Sequence, residues 1–173
     1  MMVRALLITG FALSAALAGA LPAGGEAQAP VVQISHVTGK PVPRFETLRY
    51  AAVNGRTGPS EDHSIAWRYE RRGLPVLILK ESQSWARVRD PDGDEVWIHR
   101  RTLQPGTTAM VKQTTQLRAG GNIAARSVAE IENGVMVSWS NCQDRFCEVT
   151  IDNTTGWVLE SHLWGVGLDH SAE

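Results

Sequence analysis

Trp85-Ala-Arg-Val88, the reversal Asp90-Pro-Asp-Gly-Asp94, then Trp97-Ile98 and Leu103 decide the fold, because the chain states this pattern twice. It returns as Phe146-Cys-Glu-Val149, a turn, Trp157-Val158 and Leu163. Trp97 to Trp157 and Leu103 to Leu163 are each 60 residues apart. Upstream, Arg56-Thr-Gly-Pro59 returns as Arg118-Ala-Gly-Gly121 after 62 residues, and Gly73-Leu-Pro-Val76 as Gly134-Val-Met-Val137 after 61. Spacing this constant across four landmarks marks a duplicated unit of about 60 residues with a short joint.

Within the first copy, Trp85, Arg87 and Arg89 alternate with Ala86 and Val88, so the two faces of a strand differ. Gly93 is free to take a positive φ at the reversal. The counterpart, Glu148–Trp157, is expected to turn through Asp152-Asn-Thr-Thr-Gly156. His99–Leu103 and Glu160–Leu163 each read as a single 3₁₀ turn that drops a Leu into the core. The remaining apolar stretches are short: Thr47–Val53, Leu74–Leu79 and Val96–Ile98. Gly-Pro-Ser, Arg-Arg-Gly and Glu-Ser-Gln-Ser separate them, and no window carries a long 3.6-residue stripe. Short strands divided by turn chemistry predict an all-β chain of two small barrels or sandwiches. A long polar loop runs from Arg56 towards Gly73, matched by 118–134. Ile65 and Ala66, with Val128 and Ala129, are expected to plug each barrel mouth beneath its loop.

The ends and the charge bound the setting. Arg4, an apolar small-residue run over 5–21 and Ala27-Gln-Ala29 read residues 1–29 as a signal peptide. Cleavage after Ala20 or Ala27 is an alternative, since Pro30 is a poor residue beside the cut. An uncleaved anchor is the other, disfavoured because a span needs about 20 strongly apolar residues. The resulting location is periplasmic or secreted, with no membrane span after cleavage. Residues 30–43, with three prolines, read as an extended linker. The first module is expected over 44–105, the second over 106–168, and a tail over 169–173. The first carries 11 Lys/Arg against 9 Asp/Glu, a balance of +2; residues 106–173 carry 4 against 8, a balance of −4. No dense basic stripe exists, so nucleic acid is not an expected partner.

Val53-Asn54-Gly55-Arg56-Thr57-Gly58-Pro59-Ser60, Gly73-Leu74-Pro75-Val76, Trp85-Ala-Arg-Val88 and Val96-Trp97-Ile98 together resemble the bacterial SH3-like (SH3b) domains. The resemblance covers both modules. It is stronger in the first, because Leu117-Arg118-Ala119-Gly120-Gly121 lacks the Pro-Ser. Two positions depart from the family pattern. Gly55 stands where an apolar strand residue is usual, which is expected to loosen that strand edge. Val96 stands where Gly usually precedes the Trp, leaving Gly93 to shape the hairpin. The resemblance implies two tandem SH3-like barrels and binding, commonly to peptidoglycan or its peptides, without an attached enzyme domain.

Cys142 and Cys147 bracket a tight reversal, and in an oxidising compartment such a pair is expected to form a disulfide. A dyad of either cysteine with His162 would lose its nucleophile to that bond. His36, His63, His99, His162 and His170 are scattered, with His99 and His162 read as matching places beside the 3₁₀ turns. There is no His-x-x-x-His, no Cys/His quartet and no Gly-rich phosphate loop, so neither metal nor cofactor is expected.

Six tryptophans serve two small modules, and a small barrel needs large side chains to build any core. Trp67 is the exception singled out for binding, since it ends a polar loop beside Arg68, Arg71 and Arg72. A half-exposed ring flanked by guanidinium groups suits a peptide carboxylate and its apolar neighbour. Trp67, Arg56 and Tyr50 are expected to line the first groove, and Trp139 with Arg118 the second. For Arg56 and Arg118 a loop-bracing role competes with ligand contact. The expected function is non-enzymatic recognition of cell-wall peptide or glycan. The alternative is an adaptor whose inter-module groove holds an extended segment of an envelope protein.

Overall fold

In the computed structural model, which describes residues 32–167, every regular element is a strand or a single 3₁₀ turn. A small hairpin comes first, β1 (Gln33–Ile34) against β2 (Pro41–Val42). The first module follows with β3 (Arg44–Leu48), β4 (Val53–Arg56), β5 (Ile65–Tyr69), β6 (Pro75–Ser82), β7 (Trp85–Arg89), β8 (Glu95–His99) and β9 (Leu103–Gln104). The second repeats it with β10 (Thr108–Val111), β11 (Thr115–Arg118), β12 (Ser127–Ile131), β13 (Met136–Gln143), β14 (Phe146–Ile151), β15 (Thr154–Leu159) and β16 (Leu163–Trp164). The expected 3₁₀ turns are present at Arg100–Thr102 and Glu160–His162, and each delivers its Leu, 103 or 163, to a core.

The duplication holds strand by strand. The sheet orders are β5-β4-β8-β7-β6-β3-β9 and β12-β11-β15-β14-β13-β10-β16, all neighbours antiparallel. Even the irregularities recur: one bulge at Gly55/Arg56 and Leu117/Arg118, another at Ile78/Lys80 and Trp139/Asn141. Tyr69 on β5 and Leu103 on β9 stand at opposite ends of the sheet order yet share one buried cluster with Leu48, Val76, Ile78, Val88 and Ile98. The sheet therefore curls around its own core, as an SH3-like barrel does. A second, separate cluster holds Val111, Leu117, Val137, Val149, Val158 and Leu163. Each fully buried aliphatic side chain contributes about 1.5–3 kcal/mol through removal from water.

Four details correct the sequence reading. Thr47–Val53 is two strands and a turn, not one run. Residues 33–42 are not an extended linker but the β1–β2 hairpin, folded back onto β6. Val42 enters the first core, and Thr38 and Arg44 both bond the Glu81 carboxylate. The Glu148–Trp157 hairpin turns on two residues only, Asp152 and Asn153, both at positive φ, so Thr154–Gly156 belong to β15. Ile65, Ala66, Val128 and Ala129 plug nothing; all four side chains are exposed, because each polar loop projects past the barrel mouth.

The two departures from the family pattern turn out to be one feature. A Cβ on Gly55 would lie 2.8 Å from Val96 Cγ2. In the second module the counterparts of Gly55 and Val96 are Leu117 and Gly156, and a Cβ on Gly156 would lie 2.7 Å from Leu117 Cγ. One cross-strand space is filled from opposite sides in the two copies. Gly55 therefore does not loosen its strand; it makes room for Val96.

The modules are docked to each other. Trp164 Nε1 donates to the Pro75 carbonyl at 3.0 Å, and the Trp164 ring stands edge-on to Phe45 with centroids 5.1 Å apart. Thr108 Oγ1 donates to the Gly73 carbonyl at 2.5 Å and Arg71 to the Gly134 carbonyl at 3.1 Å. Gly165, at φ +110°, lies so near Pro75 and Ala109 that a side chain there would collide with both.

Candidate ligand clefts

Period-two alternation sorts the expected site residues onto different faces. Gly55 points into the barrel, so Trp67, its partner across β4–β5, packs against the first core. Its ring meets Tyr69 edge-on at 6.3 Å. Arg56, after the bulge, faces out. Its Nη1 donates to the His63 carbonyl at 2.6 Å and so braces the β4–β5 loop. Arg118 does the same in the second copy, donating to the Ala125 carbonyl at 3.0 Å. Tyr50 lies half-exposed on the β3–β4 turn, away from Arg56's cleft. Trp139 packs on the second core, and its Nε1 is buried without a hydrogen-bond partner among the described residues. Two strands separate it from Arg118. Neither expected trio nor expected pair is assembled as one surface.

What the structure assembles instead is a cleft of about 330 Å³ in the first module, built from four separated segments. Asn54 and Arg56 come from β4, Glu61 from the loop, and Arg68 from β5. Trp85 starts β7, and His99 and Arg101 flank the 3₁₀ turn. Trp85 is mostly buried and meets His99 edge-on at 5.2 Å. His99 Nδ1 accepts from the Arg101 backbone N–H at 3.2 Å and thereby caps the turn. Burial, then the positive charges of Arg101 and Arg100, push the His99 imidazole below its usual pKa, with Glu61 opposing. A neutral imidazole with Nδ1 engaged presents an Nε2–H donor. Three guanidinium groups against one carboxylate give the cleft a balance of +2. Arg68 and Arg101 are both exposed; Arg68 has only a loose 3.7 Å pairing with the exposed Glu70.

The second module has a cleft in the same place, about 210 Å³, lined by Gln116, Arg118, Ile123, Leu159 and His162 among others. Through the duplication, Glu61 is replaced by Ile123, His99 by Leu159, Thr102 by His162 and Arg68 by Glu130. Glu130 accepts from Gln116 Nε2 at 2.7 Å, and His162 Nδ1 shares a 2.7 Å hydrogen bond with the Thr115 hydroxyl. His99 and His162 are thus not equivalent, although each lines its own module's cleft. Sequence reasoning missed Asn54, Glu61, His99 and Arg101; their signal was the pairing of cationic residues at 56, 68 and 101 with the Trp that starts β7.

The predicted disulfide joins Cys142 to Cys147 directly across β13 and β14. Its counterpart pair in the first module is Glu81 and Ala86. Burial alone would raise the Glu81 carboxyl, but hydrogen bonds from Arg44, Ser35 and Thr38, with the Arg44 charge, outweigh it and hold the pKa down to about 2.

Residues 49–105 and 111–165 each match the family model of the bacterial SH3 domain. No curated protein matches the chain. Among solved structures it is similar to NlpC2 from Trichomonas vaginalis, at 15% identity and a TM-score of 0.34 over 71% of this chain and 48% of that one. It is likewise similar to NlpC1 from the same organism, at 15% identity and a TM-score of 0.35 over 80% of this chain and 52% of that one. The chain spans about half the length of these two proteins.

Proposed function

The chain belongs to the bacterial SH3 domain family, a family of binding domains, and from that premise we propose that it is an exported, non-enzymatic recognition protein of the cell wall. The signal peptide over 1–29 and the tail over 169–173 lie outside the described residues. The Cys142–Cys147 disulfide supports an oxidising compartment. No helix among the described residues is long and apolar enough to cross a membrane.

One observation carries the ligand reading: the first cleft gathers Arg56, Arg68 and Arg101 over the edge of Trp85 and the His99 imidazole. Guanidinium groups hold carboxylates through paired N–H donors, and an aromatic edge accepts the aliphatic part of a peptide. Stem peptides of peptidoglycan offer free carboxylates on short aliphatic side chains, so they suit this cleft better than a neutral glycan does. The second cleft, with Ile123 and Leu159 in place of charged residues, does not repeat the anion site.

Co-sedimentation with purified sacculi tests the proposal. The mature chain is expected in the pellet and to be released by salt, which screens exposed charge pairs. The Arg68→Ala/Arg101→Ala variant, whose side chains hold nothing in the core, is expected to stay in the supernatant with unchanged unfolding. Equal retention of parent and variant overturns the cleft assignment; retention of neither overturns wall recognition.

A further inference from the structure

A second concavity lies where the modules meet. About 570 Å³ in volume, it is lined by Phe45 and Leu77 from the first module and by Leu159, Leu163, Trp164 and Val166 from the second. Lys112 and Arg145 stand on its rim, both exposed. They are two of only four basic residues in a module whose balance is −4. Among the described residues neither side chain has an acidic partner. The one carboxylate at the groove, Glu160, is turned in against Gly167, where it fills the space a side chain would take. The edge strand of the second sheet, β16, runs along the floor.

Apolar floor, unpaired cationic rim and open strand edge are three requirements of an extended peptide with alternating character. In such a peptide successive side chains face opposite ways. Aliphatic residues can then fill the floor while carboxylates meet Lys112 and Arg145. The groove is preformed, because the Trp164–Pro75 and Thr108–Gly73 hydrogen bonds and the Phe45–Trp164 contact fix one module on the other. We propose that this inter-module groove binds an extended acidic–aliphatic segment of a partner protein, at a site separate from the first-module cleft. It does not rest on wall recognition.

Fluorescence anisotropy on the full mature chain tests this, with a labelled hexapeptide alternating leucine and aspartate as the probe. Saturable binding is expected, weakened tenfold or more by Lys112→Glu/Arg145→Glu and by replacing the probe's aspartates with asparagine. The Arg68→Ala/Arg101→Ala variant is expected to bind the probe like the parent, which separates this site from the cleft. Indifference to the Lys112/Arg145 change, or equal affinity for the asparagine probe, overturns the proposal. So does binding seen only after residues 168–173 are removed, which would assign the groove to the chain's own acidic tail. The circular dichroism and unfolding midpoint of each variant establish that it is folded.

Discussion

The two modules share strand order, bulges and loop-bracing arginines, yet they solve three local problems in opposite ways. The β4–β8 crossing is filled by Val96 over Gly55; the β11–β15 crossing is filled by Leu117 under Gly156. The β6–β7 hairpin is held by Glu81, which gathers Arg44 and Thr38 from the N-terminal segment; the β13–β14 hairpin is held by Cys142–Cys147. The five-residue turn after β7 is organised by Asp90. Its Oδ1 accepts from the Asp92 and Asp94 amides, and its Oδ2 accepts from buried Tyr69. Burial, above all, pushes the Tyr69 phenol up and keeps it a neutral donor. The two-residue turn after β14 needs no such cap, and Ile131 and Ile151 replace Tyr69 and Asp90. A barrel this small tolerates exchange of chemistry at a site so long as volume and pairing are conserved across it.

The largest effect should come from mixing the two packing solutions. Gly156→Val would drive a Cβ to within 2.7 Å of Leu117 Cγ and of the Arg118 carbonyl oxygen. A loss of about 3 kcal/mol is expected in urea unfolding. Leu117→Gly added to Gly156→Val copies the first module's arrangement and should recover a substantial part of that loss. A double variant no more stable than the single one would break the equivalence of the two crossings.

Reducing Cys142–Cys147 is expected to remove about 2 kcal/mol, the chain-entropy value for so short a loop. The first module, which holds the same hairpin without a disulfide, should be unaffected by reductant, as read by exchange of the Ile78 and Val88 amides.

Acid should act on the other copy. Glu81's folded pKa lies below its unfolded value near 4.5, so its contribution is complete above that value and declines as pH falls towards about 2. By about pH 3.5 the loss is on the order of 1 kcal/mol, and Glu81→Gln should flatten that limb of the stability curve. An unchanged acid limb in Glu81→Gln would remove the carboxylate from the account of how β1–β2 is held.

Much of this architecture was legible in the residues. The 60-to-62-residue spacing of Trp, Leu, Arg and Gly landmarks carries the duplication, and Asp90-Pro-Asp-Gly-Asp94 carries its hairpin. The site was less legible, for physical reasons. Whether Trp67 and Trp139 face solvent or core depends on bulges that shift the alternation, and no local pattern marks those. Asn54, Glu61, Arg68 and Arg101 meet only because the sheet curls, which brings four distant segments to one cleft. The β1–β2 hairpin exists through contacts to Glu81 some 40 residues away, so its own prolines suggested a linker. The Gly55–Val96 exchange was visible as two separate oddities, and only the pairing of β4 with β8 made them one.

The most direct test of the contrast between clefts is a titration of the ¹⁵N-labelled mature chain with a soluble muropeptide, followed by amide chemical shifts. Saturating shifts at Asn54, Arg56, Arg68, His99 and Arg101, with Gln116, Arg118 and His162 unmoved, are the predicted result. Shifts centred on the second cleft, or none in either, would contradict the account.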